Sequence, residues 1–393
     1  DRAILKNRPA TVNFILNEAE VQPDVNLPST LRALRFAVVS GWTDIVRMLL
    51  EAGANVDTAD DNNRTLLSLA LPSEDESLVR TVMEYRPNTE IRDNNDNTAI
   101  HYLSDVTPLA SVRLIVNSGA KIDTVNKYKY NILNSAVWDR NVDVMKYLLN
   151  KKVLVDTLNA TPIDYGATPL HVACYRGTLK MVEMLIDKGS DVNFACSGRY
   201  GTPLMAATLR WIDEEGESLT EEIIKLLLDK GADPTIGAGI FGSPVISASL
   251  FCPSDVVPLF LKDDTSVDIR DPFGRKPVHL ACYNCLNVLE LLKVPDSDFA
   301  ARDIVGRVPL HYAVLGGHVD MIEEVLTRSE RVGIGLEVED DDGWTPLLWA
   351  ARASFAWPWN KEWTPLGHEV ALLLERGANI DKTGYGPYKD WTA

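Results

Sequence analysis

The chain has 393 residues and a formal net charge of −17 at pH 7, with 56 acidic and 39 basic side chains. Proteins that follow nucleic-acid phosphates carry clustered Lys and Arg, so this charge argues against nucleic acid as a partner. No apolar run reaches membrane-spanning length, and the opening residues lack a signal-peptide pattern. We therefore expect an intracellular protein, cytoplasmic or nuclear, without membrane insertion.

The first 28 residues have the pattern of an incomplete module. Apolar spacing predicts a helix around Thr11 to Leu16, and an extended turn follows at Asp24 to Asn26. We interpret residues 1–28 as a partial N-terminal repeat or cap. Because residue 1 is not methionine, we also expect the chain to be a fragment entered partway through a repeat.

From about residue 30 a repeat dominates the chain. Its best copy is TPLHVACYRGTLKMVEMLIDKGSDVN at residues 168–193, and most copies are spaced by 33 or 34 residues. The counterparts of Thr168 are Arg32, Thr65, Thr98, Asn131, Thr202, Ser243, Lys276, Val308 and Thr345.

Each copy predicts two helices and an extended finger. Thr168 suits a helix N-cap, and Gly177 ends that helix. Apolar residues from Met181 to Ile186 recur at helical spacing and predict a second helix that Gly189 closes. One such hairpin cannot bury its apolar face alone, so each copy must stack on the next.

This period, together with TPLHxA and a later LLxxGA, resembles the ankyrin repeat. The resemblance implies an all-α fold, an ankyrin-repeat solenoid of antiparallel helix pairs with short finger loops. We expect a continuous array over residues 29–382 and a C-terminal tail at 383–393. Spacings longer than the period predict irregularities at residues 157–166, 210–219, 328–338 and 353–364.

Cysteine and histidine offer one candidate metal site. Cys282 and Cys285 form a CxxC motif near His279, but a structural zinc needs four converging ligands and no second CxxC exists. We favour a structural role for these cysteines and expect no metal. His101, His171, His279 and His311 all occupy the H of the repeat, which favours hydrogen-bonding struts between modules over catalytic bases.

No phosphate loop, HExxH helix or GxSxG elbow occurs, so we expect no enzyme and no cofactor. One modification remains open. The spacing that the resemblance links to asparaginyl hydroxylation is matched by Leu185, Asp191, Val192 and Asn193, although the same residues also form the structural finger.

The resemblance places protein binding in a concave groove formed by finger tips and first helices. Aromatic residues and arginines, which dominate interface hot spots, occur at those positions. The partner-binding residues so predicted are Tyr128, Tyr130, Trp138, Asp139, Tyr165, Tyr175, Arg176, Arg199, Arg210, Phe251, Phe273, Arg275, Tyr283, Arg307, Trp344 and Arg352. The alternative is that these aromatics pack neighbouring fingers together.

Two insertions lie beside this surface, at residues 210–219 and 353–364. Trp357, Trp359 and Trp363 make the second either a hydrophobic lid on the last repeat or an exposed docking site. The prediction is a non-enzymatic scaffold that binds a protein or peptide of unknown identity. A sensor or autoinhibitory arm of a larger protein is the first alternative, and an unusual enzyme or small-molecule binder is the second.

Overall fold

A computed structural model describes residues 2–18, 23–159, 167–210, 216–261, 267–352 and 367–384, with backbone only at 216–218. The chain divides into two compact units, Asp1–Asp191 and Val192–Ala393. The described residues form α-helices, three short 3-10 helices and no strand beyond one isolated bridge between Ala59 and Thr65. In the described ranges, no helix combines the length and the apolar character that crossing a membrane requires.

The helices of the first unit follow the predicted pairs. They are α1 (Pro9–Asn17), α2 (Pro28–Val39), α3 (Thr43–Glu51), α4 (Leu66–Ala70), α5 (Glu76–Glu84), α6 (Leu109–Asn117), α7 (Ile132–Trp138), α8 (Val142–Leu148), α9 (Lys152–Val155), α10 (Pro169–Arg176) and α11 (Leu179–Asp187). A 3-10 helix, Ala99–His101, precedes α6.

The second unit continues the same alternation. Its helices are α12 (Pro203–Thr208), α13 (Gly216–Asp229), α14 (Pro244–Phe251), α15 (Pro277–Asn284), α16 (Leu286–Leu292), α17 (Pro309–Gly316), α18 (Val319–Arg331), α19 (Pro346–Arg352) and α20 (His368–Glu375). Two further 3-10 helices span Val257–Phe260 and Asp296–Ala300.

From Thr65 onwards, the first helix of each pair begins directly after the predicted cap residue, whereas α2 begins at Pro28 and not after Arg32, because a proline suits the first helical turn. Asn131 Oδ1 accepts the backbone N–H groups of Leu133 and Asn134, and Thr202 Oγ1 accepts that of Met205 at 3.2 Å. These bonds satisfy donors that a helix start leaves unpaired. From Thr65 onwards the repeat therefore predicts where each first helix starts.

Within each unit, like helices stack on like helices. First helices pack in series, as α14 on α15 and α15 on α17, while second helices pack together, as α3 on α5. Contact between α15 and α17 is close: a Cβ on Gly316 would lie 2.5 Å from the carbonyl oxygen of Tyr283. The core consists of the facing apolar stripes, and the predicted all-α helix-pair fold is confirmed.

The predicted departures from the period have different outcomes. At 328–338 the cause is visible, because α18 continues to Arg331 as a 13-residue helix. Residues 160–166, 211–215 and 353–366, with the three tryptophans of the second insertion, lie outside the described residues. At the N-terminus, α1 covers the helix predicted around Thr11 to Leu16 and packs against α3, as a second helix does.

Candidate partner-binding surface

The finger loops share one turn that positions the residues around it. In the finger that starts at Asp271, the carboxylate Oδ1 accepts the backbone N–H groups of Phe273 and Arg275 at 2.9 and 2.8 Å. The Asp271 N–H donates in turn to the carbonyl of Arg275. Gly274, the fourth residue, has a φ of 75°, which glycine adopts without strain. The same carboxylate pattern recurs at Asp60, Asp93, Asp303 and Asp340, and Asn126 supplies its amide oxygen in the same way.

The repeated histidines act as the predicted struts. His311 Nδ1 accepts the N–H of Val308 at 3.1 Å, and its Nε2–H donates to the carbonyl of Trp344 in the next finger at 3.1 Å. His279 joins Lys276 to Ala301 in the same manner. Burial lowers the pKa of both imidazoles to about 4, so they are neutral at pH 7.

Cys282 is fully buried, and burial raises the pKa of its thiol far above the usual range. Both nitrogens of the neighbouring His279 already hold hydrogen bonds. Among the described residues, no group of three or more His, Cys, Asp or Glu side chains could hold a metal ion. Burial gives Cys282 a packing role, while Cys285 is half-buried.

In the first unit, the predicted contacts meet at the C-terminal ends of α7 and α10. The Trp138 ring is 45% exposed, and the guanidinium carbon of Arg176 lies 4.5 Å from its centroid. Tyr175 and Asp139 are half-buried beside them. Burial raises the pKa of Asp139, and the nearby charge of Arg176 opposes that shift. This cluster combines a broad apolar face with opposite charges.

Two further first-unit predictions, Tyr128 and Tyr130, lie on one finger. Tyr128 is exposed, with Lys127 Nζ 4.8 Å from the centre of its ring, and Tyr130 is half-buried. Tyr165 lies outside the described residues.

In the second unit, arginines pair with aromatic rings in successive repeats. Arg275 stacks on Phe273 with 4.8 Å between guanidinium carbon and ring centroid, and it also binds Asp271 at 2.6 Å. Arg307 lies 4.4 Å from the centre of the Trp349 ring. A cation over an aromatic face is held by the ring quadrupole, so each pair orders its arginine.

The other predicted contact residues of the second unit differ in how far they are exposed. Phe251, half-buried, packs edge-on against Phe241, and Tyr283 is half-buried. Arg199 and Arg352 are exposed.

Two predicted contacts, Trp344 and Arg210, are buried, with exposures of only 3% and 9%. The Trp344 ring packs against that of Trp349 at 5.4 Å, while its backbone is tied into the finger turn by Asp340. These two positions fit the packing alternative better than an open surface. Their assignment to a partner stays a prediction.

Sequence reasoning missed the side chains that complete the fingers. The second carboxylate oxygen of Asp303 accepts the hydroxyl of Tyr312 at 2.7 Å, and that of Asp340 accepts the Trp349 ring N–H at 2.9 Å. Tyr102 donates likewise to Asp93. All three aromatics stand nine residues after the finger aspartate, and that spacing is the signal that could have revealed them.

Comparison with known families supports the repeat assignment. A sequence profile described as ankyrin repeats in three copies matches residues 2–94, 151–238, 245–337 and 288–384. The ankyrin repeat domain-containing protein SAT10 of Stachybotrys chartarum is 27% identical over 393 aligned residues, which cover 88% of this chain and 20% of that protein.

Two other relatives carry different names. The human transient receptor potential cation channel subfamily A member 1 is 24% identical across 81% of this chain and 32% of its own length. Palmitoyltransferase AKR1 of Lachancea kluyveri is 30% identical across 41% of this chain and 21% of its own length. The chain thus spans at most about a third of these three relatives. Because the family profile covers most of its residues, the chain belongs to the ankyrin-repeat proteins.

Proposed function

We propose that this chain binds a protein or peptide partner through the surface formed by its finger tips and first helices. The Trp138–Arg176 pair carries the proposal. Packing requires no tryptophan that is 45% exposed, whereas a tryptophan beside an ordered arginine is typical of an interface anchor. The stacked arginines of the second unit extend the same chemistry to further repeats.

The membership of the family supports this assignment at a coarser level, because ankyrin repeats generally mediate protein–protein interaction. The names of two relatives, a cation channel and a palmitoyltransferase, belong to proteins in which the matched segment is only a part. They favour a second candidate role for this chain, as a sensor or autoinhibitory arm of a longer protein. No residue cluster described above supports catalysis by the repeats themselves.

Affinity capture with matched variants tests the proposal. Cell extract is passed over the wild-type chain, a Trp138→Ala variant and a Lys180→Ala control, and recovered proteins are quantified by mass spectrometry. Lys180 is a suitable control because its side chain is 69% exposed on the second helix α11, where it pairs with Glu183, and it is not one of the predicted partner-binding residues. We expect at least one protein whose recovery falls with Trp138→Ala and is retained with Lys180→Ala. Recovery that responds equally to both changes, or to neither, contradicts the proposed surface.

A further inference from the structure

The finger turns of the second unit carry an apolar row at their tips. We define this finger-tip row by the third residue of three consecutive turns, Ile240, Phe273 and Val305. Their side chains are 42%, 46% and 38% exposed, and Ile304 beside them is 62% exposed. The equivalent positions in the first unit hold Asn62, Asn95 and Tyr128. The turn itself therefore does not demand apolar side chains.

The three tips form a continuous surface. A Cβ on Gly242 would lie 2.7 Å from Asp271 Cα, which places the Ile240 finger directly against the Phe273 finger. The N–H of Ile304 donates to the carbonyl of Phe273 at 3.0 Å, which fastens the second finger to the third. An exposed row of large apolar groups on a rigid backbone is unfavourable in water, so such a patch is typical of an interaction site.

Two arginines flank this row. Arg270 Nη1 donates to the carbonyl of Arg302, and Arg302 Nη1 donates to that of Glu339, each at 2.8 Å. Both residues are exposed, and both donate to backbone carbonyls, which carry no net charge. The neighbouring carboxylates are engaged elsewhere: Asp268 binds Lys276 at 2.6 Å, and Asp271 caps its own turn.

At the next finger, the tip residues change from apolar to acidic. The residue equivalent to Phe273 there is Asp342, and both it and Asp341 are exposed. A carboxylate of a bound segment would be repelled at that end and attracted between Arg270 and Arg302. The charge pattern thus favours one position of an acidic segment along the row, away from Asp341 and Asp342.

From this arrangement we infer that the finger-tip row docks a segment of a partner protein in which large apolar residues alternate with carboxylates. The inference rests on the proposed function and specifies the chemistry of its ligand. Neighbouring repeats are separated by about 10 Å, the distance between packed helices. That separation corresponds to about three residues of an extended segment or about seven of a helix, so the apolar anchors should recur at one of those spacings.

Selection from a random peptide library displayed on phage tests this inference with the whole chain as bait. We expect enriched peptides to combine apolar residues with Asp or Glu at one of these spacings. A synthetic enriched peptide should bind a Phe273→Ser/Val305→Ser variant at least about tenfold more weakly. Replacing the acidic residues of that peptide with Lys should also weaken binding, and this arm leaves the protein intact.

The Asn62→Ser/Asn95→Ser variant provides a control, because it changes the same turn positions in the first unit. Its affinity should stay within about twofold of the wild type, and circular dichroism melts should show that all variants remain folded. Enrichment of basic or wholly polar peptides overturns the inference. So does a peptide that responds to Trp138→Ala and not to Phe273→Ser/Val305→Ser, although protein binding would then still stand. A dimer that Phe273→Ser/Val305→Ser dissolves would assign the row to a second copy and contradict a foreign segment. Selection of no peptide counts against both proposals.

Discussion

At the scale of single residues, a histidine at the H position of the repeat links one module to the next. In His311 the ring connects the start of α17 to the Trp344 finger and is wholly buried. The fourth repeat has Asn134 at the same position, and its Oδ1 accepts the N–H of Asn131 at 3.0 Å. Histidine and asparagine at this position thus both accept the cap N–H, and of these two only histidine titrates.

This difference predicts an acid-sensitive fold. The ordinary histidine pKa is about 6.5, while burial holds the folded pKa of His311 at about 4, with Asp340 and Arg307 as nearby charges. The unfolded chain takes up the proton first, so stability is complete above pH 6.5 and falls as the pH drops towards 4. Each such histidine contributes on the order of 3 kcal/mol to this loss.

Urea unfolding of the wild type and His311→Asn between pH 7.5 and 4.5 measures the effect. We expect the variant to lose less stability over that range, because its amide does not titrate. Parallel pH profiles for the two proteins would contradict a neutral buried imidazole.

At the scale of helices, the sequence predicts the regular helix pairs better than it predicts departures from that pattern. The period and Thr168-like caps place nearly every first helix, whereas nothing in NTAIHYLS indicates that the third copy shortens to the 3-10 helix Ala99–His101. The carbonyls that follow it are bound by Asn141, which belongs to the next repeat: its Nδ2 donates to Ser104 O at 3.0 Å and Thr107 O at 2.9 Å. A compensation this distant is not visible in a local pattern.

Prediction of the candidate surface from the sequence meets the same limit, because exposure depends on contacts that a local pattern does not contain. Spacing predicted the positions of Trp138 and Trp344 equally, but exposure depends on neighbours in space. Trp138 stands at the open end of α7, whereas Trp344 is covered through its contact with Trp349. The apolar tips at Ile304 and Val305 were missed because the prediction selected aromatic residues and arginines, and these two residues are aliphatic.

The hydrogen bonds of Asn141 predict that its substitution lowers the free energy of unfolding. It accepts the N–H of Val144 at 3.1 Å as the cap of α8 and donates to the loop carbonyls. Asn141→Ala should destabilise the chain by about 1–3 kcal/mol, since buried carbonyls lose their donor. Asn141→Asp keeps the cap acceptor and loses the donors, so it should also destabilise. Thr178→Ala, which removes a cap alone, is the comparison in chemical unfolding. Wild-type stability in Asn141→Asp would show that the loop bonds contribute nothing.

The stacking of helices predicts a second loss of stability, from truncation of buried leucines. Leu185 and Leu347 are 0% and 2% exposed, so truncation of either to Ala should lower the free energy of unfolding by about 2–5 kcal/mol. Cys282→Ala removes only a sulfur atom from an equally buried site and should cost much less. Equilibrium denaturation of the three variants checks the order. A Cys282→Ala loss as large as those of the leucines, or unfolding by a chelator, would overturn the packing role of Cys282.

At the scale of the molecule, the net charge of −17 coexists with arginines gathered at the fingers. Arg92, Arg270 and Arg302 each donate to the carbonyl of their own turn and to one in the following finger. Arg176 and Arg307 instead stack on tryptophans. These five arginines place ordered positive charge on the surface proposed to meet a partner, so binding there should be sensitive to salt.

This separation of roles predicts that binding and stability respond differently to one change. Tyr175 and Arg176 are half-buried at the end of α10, outside the apolar stripe that α10 buries. Replacing both with Ala should leave thermal unfolding nearly unchanged while weakening partner binding by at least about 2 kcal/mol, because an anchor and its ordered charge are lost. Calorimetric titration of a captured partner measures the affinity of this variant and of Lys180→Ala, and scanning calorimetry measures their thermal unfolding. Unchanged affinity together with a large fall in melting temperature would make the Tyr175–Arg176 pair a packing element and move the contact surface to the finger-tip row.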